Sequence, residues 1–412
     1  MKTSQNHLPS LLGSLLFITA ALLFLSASLL MGVTSLSTFF TDKAIEARGT
    51  IIMAVTGIEG LILLVATFIS IQKFLRKDTA DKDSSFSITA MQIVICLIMG
   101  GAAIFVGEQV SENMQVNWLL LPVLTIPAVL LPILVILGLG IQKLPLGPRW
   151  QSWNIFGMGM TLIPFILVFL EVFAIVFIFI LVVAFLVSQP DIPAEMERLS
   201  RQLYLLDPQS QAARDLLIPL INKPAVLAVA LGYFSVIVPL LEELFKPLGV
   251  WIFSRQLSTR AQGFALGALS GAAYALIETL GVSAQTTDWA TLLFTRIGTD
   301  TLHITTSALM GAAIVNAIQG RKYLQLLGTY ILAVSLHGLW NALAILFTLS
   351  TLGDYLKDPG PLGGMQLPLN IGMGILAVLL LVILVVSNRK MRATIPKPVE
   401  LSVEEDRNEV NI

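Results

Sequence analysis

The chain has 412 residues, of which 56% are hydrophobic and only 12% charged, with a formal net charge of -1. Soluble domains carry roughly 25% charged residues, so this composition excludes an ordinary water-soluble globular protein and points to an integral membrane protein. The absence of any long basic run excludes nucleic acid as a partner, and a single cysteine, Cys96, excludes a disulfide framework or a CxxC metal site.

Crossing a bilayer of ~30 Å takes a run of about 20 apolar residues. Ten such runs follow one another: about 10–35, 50–72, 86–107, 117–140, 155–187, 225–253, 261–284, 289–318, 323–350 and 366–388. The expected fold class is therefore all-α, a polytopic transmembrane helix bundle. The first run is too long for a signal-peptide core and reads as a retained span. The fifth is long enough to imply strong tilt or an end that projects from the membrane.

Loop charge sets an orientation. Lys73, Arg76, Lys77 and Lys82, then Lys143 and Arg149, Arg255 and Arg260, and Arg321 and Lys322 lie in alternate loops. The intervening loops carry Glu108 and Glu112, Asp288, and Asp354 and Asp358. By the positive-inside rule the basic set is cytoplasmic, and ten spans then put both termini in the cytoplasm of a plasma membrane. The segment 188–224 has helical spacing broken by Pro193, Pro208 and Pro219, which predicts two short amphipathic helices on the external face. The chain thus divides into five N-terminal spans (1–187), an external connector (188–224), a four-span core (225–350), a last span (351–388) and a disordered cytoplasmic tail (389–412).

Four consecutive spans carry polar residues at one depth. The stretch VPLLEELFKPLGV, residues 238–250, places Glu242, Glu243 and Lys246 inside a span, where each charge costs at least a few kcal/mol unless it faces the bundle interior. From helical rise, Glu242 and Glu243 lie roughly 15–17 Å deep, Glu278 roughly 25 Å along its span, and His303 and His337 roughly 21–23 Å. Residues four apart share a face, which aligns Tyr274 with Glu278, His337 with Asn341, and Arg296 with Asp300, His303 and Ser307. Adjacent Glu242 and Glu243 point about 100° apart, so one serves the chemistry while the other pairs with Lys246 or a neighbouring helix. Pro247 predicts a kink, and Gly263, Gly267, Ser270 and Gly271 predict close approach of span seven to a partner.

A buried Glu–Lys pair can be a packing lock, and a lone membrane histidine can simply bond a neighbouring helix. Five groups at one level on successive helices read instead as a site. Glu59 and Glu171 lack matching partners in the sequence and read as structural or pore-related. Glutamates with imidazoles, and no GxSxG or paired aspartates, suggest a hydrolase that activates water directly. A Zn²⁺ ion would take His303, His337 and Glu278, leaving a glutamate of span six as base. A metal-free scheme uses the same residues, with His337 and Asn341 as oxyanion donors. No HExxH or other compact metal motif is present, and both schemes stay open, metal being preferred.

The ordered set EELFK (242–246), YALIE (274–278), His303 and HGLWN (337–341) resembles the PrsW family of intramembrane proteases, within a wider group that includes the CAAX-processing and bacteriocin-processing membrane proteases. The resemblance covers roughly 225–350, with Tyr274 where the family motif has Phe. It implies a metal- or glutamate-dependent peptidase acting on membrane-anchored proteins. It also implies that Glu242 and Glu243 are essential, that Glu278 and His303 position water or metal, and that His337 with Asn341 completes the site. Two rivals remain at this stage: a non-catalytic scaffold of the same superfamily, and a proton-coupled transporter, which would show broken helices in two matching halves.

Overall fold

The computed structural model describes residues 7–40, 45–84, 86–188, 224–285, 288–355 and 362–395, with scattered positions between 197 and 212. Among them the architecture is helical without strands, apart from one isolated bridge between Asp83 and Pro148. The N-terminal half holds α1 (Leu8–Phe39), α2 (Ala47–Phe74), α3 (Ala90–Ser111), α4 (Asn117–Ile141), α5 (Arg149–Met160) and α6 (Leu162–Val187). Then come α7 (Pro224–Gly232), a π-helical turn (Tyr233–Ile237), α8 (Val238–Phe245), α9 (Leu248–Phe253), α10 (Arg260–Val282), α11 (Trp289–Gly320), α12 (Tyr323–Tyr355) and α13 (Gln366–Ala393). Ten stretches of these helices are long and apolar enough to span a bilayer, matching the ten runs of the sequence. The protein is a multi-pass membrane protein.

Two spans are broken. The long fifth run divides at Thr161 into α5 and α6. Pro164 has no N–H for the Met160 carbonyl, so the helix ladder is interrupted there. The sixth run breaks at Lys246–Pro247, as Pro247 predicts, and the Lys246 carbonyl at the break accepts a hydrogen bond from Ser270 Oγ at 2.6 Å. The π-helical turn just upstream was not foreseen. The two expected connector helices fall in a segment of which only scattered helical positions are described, and the expected disordered tail beyond 395 lies outside the described residues. The last helix continues to Ala393, with Lys390 and Arg392 in its final turn.

The centre of the bundle is the antiparallel pair α10 and α11. Their membrane stretches are 72% and 83% buried, against 11% for α1, so lipid meets the outer helices and protein surrounds these two. Glycine makes their approach possible. A Cβ at Gly267 would lie 2.2 Å from the Ser307 carbonyl oxygen, and one at Gly271 would lie 2.3 Å from that of His303. Backbone contact of this kind is the small-residue packing expected between membrane helices. It also fixes register. Seven residues on from the Gly271–His303 crossing, Glu278 meets Arg296, seven residues before His303.

The N-terminal half is fastened to this pair. Trp289, at the start of α11, is fully buried, and its ring occupies the space a Cβ on Gly107 of α3 would need. Glu108 Oε2 accepts the backbone N–H of Ala290 at 2.8 Å and so caps α11. Farther along, Asn388 of α13 donates to the Gly140 carbonyl of α4 at 2.8 Å. Gly271→Leu should therefore unfold the pairing of α10 and α11, lowering stability by at least about 1–3 kcal/mol, as overpacking does; denaturant titration in detergent checks this, and wild-type stability would contradict the close packing.

Candidate active site

Adjacent carboxylates on α8 face different ways, as helix geometry demands. Glu243 is fully buried and forms an ion pair with Lys246 through Oε1, the same atom that takes the His337 ring nitrogen Nδ1 at 2.8 Å. Glu242 faces the cavity instead. Its Oε2 is buried without a hydrogen-bond partner and lies 3.9 Å from His303 Nδ1, 3.9 Å from His337 Nε2 and 3.6 Å from Lys246 Nζ. The cavity has a volume of about 420 Å³.

A continuous chain of polar contacts links the helices around that point. Asp300 Oδ1 accepts from Thr279 Oγ1 at 2.6 Å, and Thr279 Oγ1 accepts from Arg296 Nε at 3.0 Å. Arg296 Nη1 donates to Glu278 Oε1 at 2.9 Å, and Glu278 Oε2 meets His303 Nε2 at 2.7 Å. On its other side His303 Nδ1 meets Lys246 Nζ at 2.9 Å, and Lys246 leads through Glu243 to His337. Tyr274 packs edge-on against His303 at 5.1 Å between ring centroids, which fills the space on that side of the imidazole.

Donor and acceptor rules assign the tautomers. An ammonium has only donors, so His303 Nδ1 accepts from Lys246 and the ring proton sits on Nε2, donated to Glu278. Glu243 as carboxylate only accepts, so His337 carries its proton on Nδ1 and presents a free lone pair at Nε2. Each imidazole is thus backed by a carboxylate on one nitrogen and turned toward Glu242 with the other. That is the outer arrangement usual for metal-ligating histidines.

Glu242, His303 and His337 each offer one ligand atom, and these atoms lie within 4.8 Å of one another, all buried. The donor set of two imidazoles and one carboxylate, whose buried Oε2 has no hydrogen-bond partner, fits a divalent ion. The sequence pointed to Glu278 as third ligand; it lies outside this group because its two oxygens are taken by Arg296 and His303. One feature opposes an ion: Lys246 Nζ already holds the His303 lone pair. Asn341, expected beside His337 as an oxyanion donor, gives one amide hydrogen to the Phe234 carbonyl of the π-helical turn at 2.8 Å and still lines the cavity. Helix α12 touches this turn again where Gly338 meets the Ser235 carbonyl. Arg296 also lines the cavity, and its Nη2 is buried without a partner.

Sequence reasoning set one residue aside that the structure brings in. Glu171 of α6 lines the same cavity. It is the tenth residue of a 26-residue helix, so its mid-span depth was the available signal; without a charged motif around it, depth alone went unused. Glu59 of α2 is buried and lies outside this cavity.

A family model described as PrsW family intramembrane metalloprotease matches residues 204–387, which contain Glu242, Glu243, Lys246, Glu278, His303 and His337. This region, under half of the chain, is similar to the PrsW family. The protein is accordingly an intramembrane metalloprotease, a hydrolase. No curated protein and no solved structure matched. The PrsW match covers the polar cluster and stops short of α6, so Glu171 is contributed from outside it.

Because a metal ion would have to compete with Lys246 for the His303 lone pair, Lys246→Met should lower the Tm of the metal-free protein, through the unpaired Glu243 charge, and enlarge the rise in Tm on adding Zn²⁺. Thermal unfolding with and without Zn²⁺ reads both; equal metal-induced shifts in variant and wild type would contradict the competition.

Proposed function

We propose that the protein is a zinc-dependent endopeptidase that cuts membrane-anchored proteins within the bilayer, in a plasma membrane with both termini on the cytoplasmic side. In this reading residues 225–350 form the catalytic four-span core, held between the first five spans and the last. The observation that carries the assignment is Glu242 Oε2: a buried carboxylate oxygen that accepts no hydrogen bond, between two carboxylate-backed imidazoles on a cavity wall. An oxygen left unpaired in such a place is costly unless something else arrives to bind it.

Glu242, His303 and His337 are the residues that would hold the zinc, which supplies an acidified water and a Lewis acid for the scissile carbonyl. A carboxylate has two oxygens, so Glu242 can serve as a donor through one and take the proton of the attacking water on the other, returning it to the departing amine. Glu243 fixes the His337 ring and holds Lys246, and Glu278 fixes His303. These are positioning roles. Arg296 Nη2 and the second amide hydrogen of Asn341 are the donors left over for charge developing on the carbonyl oxygen.

Two outcomes follow. Glu242→Gln should reduce cleavage of a purified single-span substrate by about 10²–10⁴-fold, the usual range for a lost general base, with Tm retained; a loss under tenfold would remove Glu242 from the chemistry. Treatment with 1,10-phenanthroline should abolish cleavage and added Zn²⁺ should restore it, whereas full activity in chelator would contradict the use of zinc.

A further inference from the structure

The polar cluster leaves one carboxylate of the cavity unaccounted for. Glu171 projects from α6, whose other residues from Leu162 to Val187 are apolar apart from Pro164. Its Oε1 is buried and has no hydrogen-bond partner. The nearest wall is held by Tyr233, whose hydroxyl donates to the Glu171 backbone carbonyl at 2.8 Å, so the π-helical turn is tied to the α6 backbone beside this side chain while the carboxylate stays unsatisfied.

The two cations of the site are committed elsewhere. Lys246 is paired with Glu243 and His303. Arg296 is paired with Glu278 and Thr279. No ion pair to Glu171 occurs among the described residues. A carboxylate with an unpaired oxygen halfway along a membrane helix is expensive, and such residues persist where a polar or charged partner comes to meet them.

We propose that Glu171 is a substrate-recognition residue that receives the ammonium or guanidinium group of a Lys or Arg lying within the substrate's membrane span. This rests on the peptidase reading above and names the substrate class for the same cavity. The physics favours discrimination more than affinity. A Lys or Arg at mid-bilayer is costly in lipid. Moving it into a wet cavity against a carboxylate removes that cost, while a neutral residue gains nothing from the same move. A glutamate at that position of the substrate would meet Glu171, Glu242 and Glu278 on one cavity surface and be repelled. Charge on a single residue of the enzyme would thereby select spans that carry a cation. The residue that selects lies outside the stretch shared with the PrsW family, on a helix that adds a wall to the common cluster.

The test uses single-span peptides with a Leu/Ala core that differ at one mid-span position, which is Lys, Gln, Leu or Glu. Full-length enzyme in nanodiscs is assayed for cleavage. Photo-crosslinking of the same peptides to the Glu242→Gln variant reads binding without hydrolysis. Wild type should prefer Lys over Leu by at least tenfold in kcat/KM and in crosslinking yield, with Glu the poorest. Glu171→Gln should collapse that ratio to within about twofold, and Glu171→Lys should invert it toward Glu. Equal loss on all peptides in Glu171→Gln, or an unchanged Lys-to-Leu ratio, would overturn the proposal. Selective crosslinking without any cleavage would uphold the role of Glu171 and sink the peptidase reading instead.

Discussion

Charge cannot stand alone in hydrocarbon, and the interior of this bundle is organised around that constraint. The network from Asp300 through Thr279, Arg296, Glu278, His303, Lys246 and Glu243 to His337 crosses α11, α10, α8 and α12 without a gap longer than a hydrogen bond. Each member is a partner for the next, and truncating one would strand its neighbours. The exceptions carry the information. Among the buried atoms without a hydrogen-bond partner, Glu242 Oε2, Glu171 Oε1 and Arg296 Nη2 belong to residues that line the cavity, the first lying 3.6 Å from Lys246 Nζ. The network is the frame, and these three atoms are what it offers to a ligand.

Close packing makes the frame possible. Gly267 and Gly271 let α10 and α11 touch backbone to backbone, so Glu278, Thr279, Arg296 and Asp300 meet at fixed offsets. The break at Pro247 turns Lys246 so that its carbonyl takes Ser270 Oγ while its ammonium remains inside. The π-helical turn at Tyr233–Ile237 exposes carbonyls that α12 binds through Asn341. Such turns frequently mark functional sites. Spans outside the PrsW-matched region take part as well: Glu108 and Gly107 seat the start of α11, and α6 brings Glu171.

Much of this was legible from residue type and spacing. Ten apolar runs announce ten spans, because bilayer thickness sets a length that composition alone can meet. Shared depth announced the convergence of Glu242, Glu243, Glu278, His303 and His337, since helical rise converts residue number into height. The different orientations of Glu242 and Glu243 followed from the 100° step of a helix. Height, however, says nothing about azimuth across helices. The choice of Glu242 over Glu278 for the donor group depends on which way α10 is rotated, and that is set by the glycine contacts with α11. The π-helical turn has no strong local signal in YFSVI. Glu171 was visible as an oddity, but its neighbours in space come from residues more than sixty positions away.

The central claim is that two carboxylate-backed imidazoles and Glu242 make one metal-binding centre. X-ray absorption at the zinc edge of the metal-loaded protein in detergent tests it most directly. The account predicts one tightly held zinc with two imidazole nitrogens and carboxylate oxygen in its coordination shell, and loss of one imidazole in His337→Ala. A zinc shell without histidine, or one that is the same in His337→Ala, would contradict it.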